Sequence, residues 1–215
     1  MKEERTILLK VCGMKFPENI REIVQLQPDF LGFIFYPKSP RYVVEELDPQ
    51  ELSNIPDTIK KVGVFVNEEL ERLLDLANQY QLDMIQLHGE ETPEYCQKVR
   101  DEFPVIKAFS VGNHLDLDHL KEYEKFVDYF LFDTKTPLYG GSGKKFNWDE
   151  LNNYNLDKPY FLSGGIGVDD IEHILNREFP GTLILDVNSK MESEPGRKDV
   201  LMVRALVNKL KQKVL

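Results

Sequence analysis

Eight short apolar runs, each followed by a longer polar stretch, constrain the fold of this chain more than any other feature. The runs are rich in β-branched and aromatic residues, which favour strands. Strands that alternate with helices are typical of consecutive βα units and a parallel sheet. The predicted strands are Thr6–Cys12, Phe30–Tyr36, Lys61–Asn67, Met84–His88, Val105–Val111, Tyr129–Asp133, Pro159–Ser163 and Leu183–Asn188.

Helix signals lie between these runs. Thr92 precedes a proline, Pro93, as a capping residue does at the start of a helix. Two more helices are predicted to follow Asp170 and Asp199. After Asn67, apolar residues recur at helical spacing: Leu70, Leu73, Leu74 and Ala77.

Eight βα units can close into a barrel or spread into a doubly wound sheet. The dinucleotide-binding form of the open sheet carries G-x-G-x-x-G after its first strand, and no such motif follows Cys12. The length of 215 residues fits one domain and exceeds the lower size limit of about 200 residues for a closed barrel. We therefore predict an α/β fold in which residues 1–215 form a single (β/α)8, or TIM, barrel.

Composition narrows the classes of partner and the compartment. The net charge is −10 and no Lys/Arg run interrupts it, which argues against nucleic acid and anionic membranes as partners. The apolar runs are too short to span a bilayer. Residues Met1–Arg5 lead into a strand pattern instead of a secretion signal, so we expect a cytoplasmic protein. Cys12 and Cys96 lack the spacing of a disulfide framework or a zinc site.

Two strand ends carry candidates for acid–base chemistry. In a barrel the active site lies where strands end, and Cys12 ends the first run just before Gly13. It is either a small buried core residue or a thiolate base, whereas Cys96 lies in mid-helix and is predicted to be structural. Asp133 ends a very apolar run, where it either caps a loop or is desolvated enough to hold a proton as a general acid.

Other strand ends carry candidates for binding an anion. Arg41 lies near Lys38 in an acidic protein, which indicates an anion contact or simply a solvated loop. His88 is a strand-end histidine with a supporting role at most. Glycines and a serine follow the last three strands, where they form either ordinary turns or a phosphate site of backbone N–H groups: Gly141, Gly164, Gly165 and Ser189.

Taken together and in order, these segments resemble the phosphoribosylanthranilate isomerases of tryptophan biosynthesis along essentially the whole chain. Each motif alone is weak evidence for the resemblance. All of them together, in order and at the spacing of barrel strands, are specific evidence for it. The motifs are Lys10–Met14, Gly32–Val43, Lys61–Asn67, Gln86–Gly89, Phe132–Lys135, Gly140–Lys144, Phe146–Trp148, Leu162–Gly165 and Asp186–Ser189, followed by Glu192, Pro195–Gly196 and Lys198–Asp199.

The resemblance implies an aldose–ketose isomerase of aromatic amino-acid biosynthesis. The reaction is an Amadori rearrangement of N-(5'-phosphoribosyl)anthranilate to 1-(2-carboxyphenylamino)-1-deoxyribulose 5-phosphate, with no cofactor and no metal. By the family's pattern, Asp133 protonates the furanose ring oxygen and Cys12 removes the C2' proton. The expected partner is this small-molecule substrate, and the expected assembly is a monomer or a homodimer.

The resemblance also assigns binding roles. Arg41 would hold the anthranilate carboxylate, and Asp186 and His88 match polar positions beside the ring. The phosphate would lie on the backbone at Gly164, Gly165 and Ser189, with Gly141 as a further substrate-binding residue. The sequence departs from the family at Asn188, where serine is common, and at Lys190, where glycine is usual.

Two other functions remain open at this point. One is the related aminoimidazole carboxamide ribonucleotide isomerase, but enzymes of that kind have paired aspartates, and the first strand here ends in Cys12. The other is a catalytically idle barrel that senses a phosphorylated metabolite. Such a protein would be expected to lose Cys12 or Asp133, and both are present.

Overall fold

The computed structural model describes residues 7–112, 114–134, 145–181 and 183–212. Eight parallel strands form a closed barrel in which each strand pairs with the next along the chain, and the eighth pairs with the first. Each predicted run overlaps one strand, so the predicted (β/α)8 barrel is confirmed. The strands are β1 Leu8–Val11, β2 Phe30–Ile34, β3 Lys60–Phe65, β4 Met84–Leu87, β5 Val105–Val111, β6 Tyr129–Thr134, β7 Tyr160–Leu162 and β8 Leu183–Val187.

Helices connect the strands on the outside of the barrel. The α-helices are α1 Pro17–Val24, α2 Leu70–Gln79, α3 Pro93–Arg100, α4 Leu117–Tyr123, α5 Ile171–Asn176 and α6 Val200–Gln212. The Thr92 hydroxyl accepts from the Tyr95 backbone N–H at 3.3 Å, which confirms the predicted cap of α3. Among the described residues, the segments after β2 and β6 contain a short 3-10 helix and no α-helix; these 3-10 helices are Pro49–Asn54 and Trp148–Asn153.

A short antiparallel pair follows the barrel. Its strands are β9 Glu192–Glu194 and β10 Arg197–Lys198, joined by the turn at Pro195 and Gly196. The pair brings Glu192 and Lys198 to the same end of the barrel as Asn188, because Lys198 Nζ donates to Asn188 Oδ1 at 2.8 Å. The loop after β8 is therefore folded back toward the strand ends.

The interior of the barrel changes from apolar to polar along the strands. Successive residues of a strand point to opposite faces, so only alternate residues point inward. A plug of apolar side chains fills the inside of the barrel: Phe30, Val62, Met84, Ile106, Ala108, Leu131, Phe161 and Ile184. Gln86, Asp133 and Asp186 each lie two residues after a member of this plug on the same strand, so their side chains also point inward. Polar side chains thus lie directly above the plug, at the carboxyl ends of the strands.

The residues between the strands and the helices form the larger apolar core. Leu9 and Val11 of β1, and Phe130 and Phe132 of β6, belong to this outer cluster. Within the described ranges, no helix combines the length and apolar character that a membrane span requires.

Candidate active site

A pocket opens at the carboxyl ends of the barrel strands, where (β/α)8 enzymes carry their active sites. Every predicted site residue that the structure describes lines it, whereas Gly141 lies outside the described residues. Lys38, by contrast, is exposed and is not among the residues that line the pocket. The predicted residues in the pocket are Cys12, Arg41, His88, Asp133, Gly164, Gly165, Asp186 and Ser189.

Cys12 follows β1 directly and its thiol is buried, with 4% of the residue exposed. It packs closely against β2, since a Cβ added at Gly32 would lie 2.7 Å from Cys12 Sγ. Burial raises the pKa of the Cys12 thiol, and Asp186 raises it further, while the ammonium groups of Lys10 and Lys198 act in the opposite direction. A thiolate at this position would therefore draw its electrostatic support from these two lysines.

Asp133 is the penultimate residue of β6 and is buried at the floor of the pocket. Its Oδ1 accepts from the Thr134 N–H at 2.7 Å, and its Oδ2 lies 3.5 Å from His88 Nε2. Gly164 has φ +93°, and a Cβ there would lie 2.3 Å from Thr134 Oγ1 and 3.1 Å from Asp133 Oδ1. Only glycine permits the loop after β7 to pass this close to the carboxyl group.

Hydrogen-bonded polar side chains of the pocket lining surround the buried amine of Lys10, which is not itself among the lining residues. Lys10 Nζ donates to Gln86 Oε1 at 2.6 Å and to Asp186 Oδ1 at 2.9 Å. The Ser163 hydroxyl donates to the second oxygen of Asp186 at 3.0 Å. Burial acts to lower the pKa of Lys10, but Asp186 and Cys12 outweigh it and leave that pKa above its ordinary value. The buried amine is therefore held as an ammonium.

Three of these side chains were not predicted as site residues: Lys10, Gln86 and Ser163. The signal that could have found two of them is the period of a strand. Lys10 lies two residues before Cys12, and Gln86 two residues before His88, so each points to the same side of its strand as a predicted site residue. Polar residues with inward parity in a barrel strand must find partners inside the barrel.

Arg41 is held by a carboxylate that the sequence analysis did not assign to it. Its Nε donates to Glu192 Oε1 at 2.8 Å and its Nη2 to Glu192 Oε2 at 2.6 Å. Lys198 Nζ donates to the same Oε1 at 2.5 Å. Burial lowers the pKa of Lys198 to about 8, with Glu192 opposing this shift. One carboxylate thus lies between two cations, and the cluster is positive overall whenever Lys198 is protonated.

The candidate phosphate loops contain the two departures from the family pattern. Gly164 and Gly165 have positive φ, and Ser189 begins a 3-10 helix, Ser189–Met191. Lys190 lines the pocket and is not among the described non-glycine residues with positive φ, so its replacement of glycine causes no left-handed strain. Asn188 directs its side-chain oxygen to Lys198. Lys190 is therefore accommodated without left-handed strain, and Asn188 contributes a side-chain contact to Lys198.

Cys96 lies in α3 and is fully buried in the outer core. Burial raises the pKa of its thiol to about 12, so the thiol stays protonated and chemically inert at neutral pH. The structural interpretation of Cys96 is confirmed. Within the described part of the chain, no three His, Cys, Asp or Glu side chains are grouped as metal ligands would be.

The closed barrel and the pocket at its strand ends define a (β/α)8-barrel enzyme. The sequence model of the family described as N-(5'phosphoribosyl)anthranilate (PRA) isomerase matches residues 9–209. The chain belongs to this isomerase family, as its motifs predicted.

Relatives of known name support the same assignment. The N-(5'-phosphoribosyl)anthranilate isomerase of Parabacteroides distasonis is 42% identical over 211 residues, which cover 95% of this chain and 93% of that protein. The isomerase of Phocaeicola vulgatus is 44% identical over 209 residues, covering 97% of this chain and all (100%) of that protein.

Solved structures agree in fold along the chain. The phosphoribosyl anthranilate isomerase of Thermotoga maritima superposes with a TM-score of 0.85 at 37% identity, covering 96% of this chain and 99% of that one. A further structure of a phosphoribosyl anthranilate isomerase, solved in complex with reduced 1-(o-carboxyphenylamino)-1-deoxyribulose 5-phosphate, gives a TM-score of 0.82 at 32% identity with the same coverage of 96% and 99%.

Proposed function

We propose that this chain converts N-(5'-phosphoribosyl)anthranilate to 1-(2-carboxyphenylamino)-1-deoxyribulose 5-phosphate, as an aldose–ketose isomerase of tryptophan biosynthesis. The observation that carries the proposal is that Cys12, directly after β1, and Asp133, on β6, line one pocket in a chain of this isomerase family. The relative that binds a reduced form of the product supports the same choice of ligand.

The first step opens the sugar ring. Asp133 gives its proton to the furanose ring oxygen, the bond between this oxygen and C1' breaks, and the nitrogen lone pair forms a C=N bond. The products are a protonated Schiff base and the Asp133 carboxylate. A general acid of this kind contributes typically about 100- to 10,000-fold to the rate.

The second step moves a proton from carbon. The Cys12 thiolate removes the C2' proton, the C–H electrons form a C1'–C2' double bond, and the C=N electrons return to nitrogen. The resulting enolamine tautomerises to the aminoketone. C2' is oxidised and C1' is reduced within the same molecule. The balanced reaction therefore needs no external electron carrier. Lys10 and Lys198 support the thiolate by their charge.

We assign the substrate's two anionic ends to two sides of the pocket. Arg41 is the proposed partner of the anthranilate carboxylate, since a guanidinium suits a planar carboxylate. The phosphate is assigned to the backbone N–H groups of Gly164, Gly165 and Ser189, which need no side chain to reach an anion. His88 and Asp186 are the proposed polar contacts beside the ribose, and Gly141 remains a candidate in the loop after β6.

The decisive test supplies freshly made phosphoribosylanthranilate to the purified protein and follows the loss of its fluorescence. We expect loss that depends on enzyme concentration, with the ketose phosphate identified by mass spectrometry. A folded protein that leaves the substrate unchanged would overturn the proposal. We further propose that residues 1–215 act as a single cytoplasmic domain, and that the protein is a monomer or a homodimer, which sedimentation can distinguish.

A further inference from the structure

An unbroken line of polar contacts crosses the barrel interior from β8 to β6. It runs from Asp186 to Lys10 at 2.9 Å, from Lys10 to Gln86 at 2.6 Å, from Gln86 to His88 at 2.7 Å, and from His88 to Asp133 at 3.5 Å. All five residues except His88 are buried, and the His88 side chain is 14% exposed. The line thus begins at Asp186, which pairs with Lys10, and ends at Asp133, the proposed general acid.

The chemistry of the donors fixes the direction of each hydrogen bond. The Lys10 ammonium has donors only, so Gln86 must offer its carbonyl oxygen Oε1 to it. The Gln86 amide Nε2 then faces His88 Nδ1, and this NH2 group also has donors only. His88 Nδ1 must therefore accept. A neutral imidazole that accepts at Nδ1 carries its single proton on Nε2, which is the nitrogen nearest Asp133 Oδ2.

We propose that Gln86, oriented by Lys10, is a positioning residue that fixes His88 as a hydrogen-bond donor to Asp133. His88 then cannot accept the proton of Asp133, because the nitrogen that faces the carboxyl group is already protonated. The inference rests on the proposed role of Asp133 as general acid, and it adds a new function for Gln86 and for the buried ammonium of Lys10.

The arrangement favours the ring-opening step. When the O–H bond of Asp133 breaks and its proton passes to the ring oxygen, negative charge forms on the carboxylate. The protonated Nε2 of His88 lies 3.5 Å from Asp133 Oδ2, and a hydrogen bond to an ionised acceptor is shorter and stronger than one to a neutral acceptor. The 3.5 Å separation of the resting pair shortens as the charge forms. His88 thereby stabilises the carboxylate without taking up a proton.

The proposal predicts the tautomer of His88 in the protein without substrate. We would record nitrogen-15 NMR spectra of the ring nitrogens at neutral pH. The chain has four histidines, and loss of one pair of signals in a His88→Gln variant assigns the residue. We expect a pyridine-type Nδ1 and a pyrrole-type Nε2. The reverse pattern, with the proton on Nδ1, would overturn the proposal even if the protein were fully active.

A variant then tests the function of the contact. Gln86→Glu presents an acceptor to both Lys10 and His88 Nδ1, so we expect the ring to become doubly protonated. An imidazolium would hold Asp133 as a carboxylate before substrate binds, and kcat should fall about 10- to 100-fold. Unchanged ring signals together with unchanged kcat would contradict the proposal.

Two further variants serve as controls. Gln79→Glu makes the same change at an exposed position at the end of α2, and it should alter neither the His88 signals nor kcat. If Gln86→Glu does not fold, Gln86→Met removes the donor without adding a charge and should leave a mixture of both His88 tautomers. A wild-type protein with the predicted tautomer but no isomerase activity would overturn the proposed function and leave the tautomer assignment standing.

Discussion

Glu192 holds the Arg41 guanidinium with both of its carboxylate oxygens, at 2.8 Å from Nε and 2.6 Å from Nη2. The pair joins residues 151 positions apart and is largely closed to solvent. Two hydrogen bonds to one planar group fix its orientation as well as its position. The contact with Glu192 uses Nε and Nη2 of Arg41 and does not use Nη1.

Arg41→Ala should weaken substrate binding without unfolding the barrel. Glu192 keeps its contact with Lys198 in this variant, so no buried charge is left without a partner. Loss of one charge-assisted contact should reduce kcat/KM by about 10- to 100-fold. Inhibition by product analogues with and without the aromatic carboxylate provides the measurement. Equal weakening of both analogues would remove Arg41 from the carboxylate site.

Glu192→Gln should act on stability first. The change leaves Arg41 and Lys198 close together and partly or fully buried without the anion between them. Removing one partner of a buried ion cluster typically costs about 3 to 5 kcal/mol. Urea unfolding of wild type and variant would measure the loss. Glu194→Gln, which changes an exposed carboxylate on the same β-hairpin, is the matched control and should cost far less.

Cys12→Ala and Asp133→Asn should each lower kcat by about 100- to 10,000-fold, because each removes one partner of the proposed acid–base pair. Both side chains lie at strand ends, so the barrel should remain folded, as circular dichroism can verify. Cys96→Ala is the control for loss of a thiol and should retain near wild-type kcat. Near wild-type kcat in either site variant would show that its assigned role is wrong.

Lys190→Gly, which restores the residue usual in the family, should weaken binding of a phosphate group. The lysine lines the pocket beside Gly165 and Ser189, and its charge attracts an anion without straining the backbone. We expect the inhibition constant of inorganic phosphate to rise about tenfold at low salt and less at high salt. Lys98→Met, on the exposed face of α3, should leave this inhibition constant unchanged.

The position of a phosphate bound in a crystal tests the same assignment. A phosphate bound near Lys38 would reverse the assignment of the pocket's two sides.

The lowered pKa of Lys198 should affect stability at alkaline pH. Its pKa is about 8 in the folded protein, against an ordinary value of 10.5. Between these values the unfolded chain binds more protons than the folded protein, so this residue's contribution to the free energy of unfolding rises with pH across that window and is constant below it. Urea unfolding of two proteins, one with Lys198 and one with Lys198→Met, would measure this contribution as the difference in their free energies of unfolding. Both proteins would carry Cys12→Ala, so that titration of the thiol does not contribute. A stability difference that falls across the window would contradict the assigned direction.

The ends of the strands were predictable from the sequence because an apolar run marks each strand, and a polar or reactive residue marks the point where the run stops. Cys12 and Asp133 each follow an apolar run, and all that was needed to place them in one pocket was the closure of the barrel. The helical segments at Leu70 and Thr92 were predictable for a similar reason, since spacing and capping act within a few residues.

Partners distant in sequence were not predictable. Lys10 meets Asp186 across 176 residues, and no local pattern relates the two. The same holds for Arg41 and Glu192. Because Lys10 stands inside an apolar run, the run predicts a strand and gives no sign of where the ammonium finds its counter-charge. The exact register of the closed barrel supplies that information.

The segment after β2 contains less helix than a complete βα unit would suggest. The segment after β2 forms only the 3-10 helix Pro49–Asn54. Asp48 caps its start by accepting from the Gln50 N–H at 2.9 Å, and Pro56 follows closely after its end. A proline disfavours helical geometry in the residue before it, here Ile55. Start and stop signals therefore stand too close together for an α-helix.

Closure of the barrel between β1 and β8 pairs Lys10 with Asp186 in register. During translation Lys10 and Cys12 leave the ribosome well before Asp186, which lies 176 residues after Lys10, and before Lys198. A nascent chain that ends before β8 has no counter-ion for its first buried ammonium and no second cation beside its thiol. The order of synthesis thus delays the charged surroundings of Cys12 until β8 and the β9–β10 pair have emerged, and a product truncated before β8 carries this thiol without them.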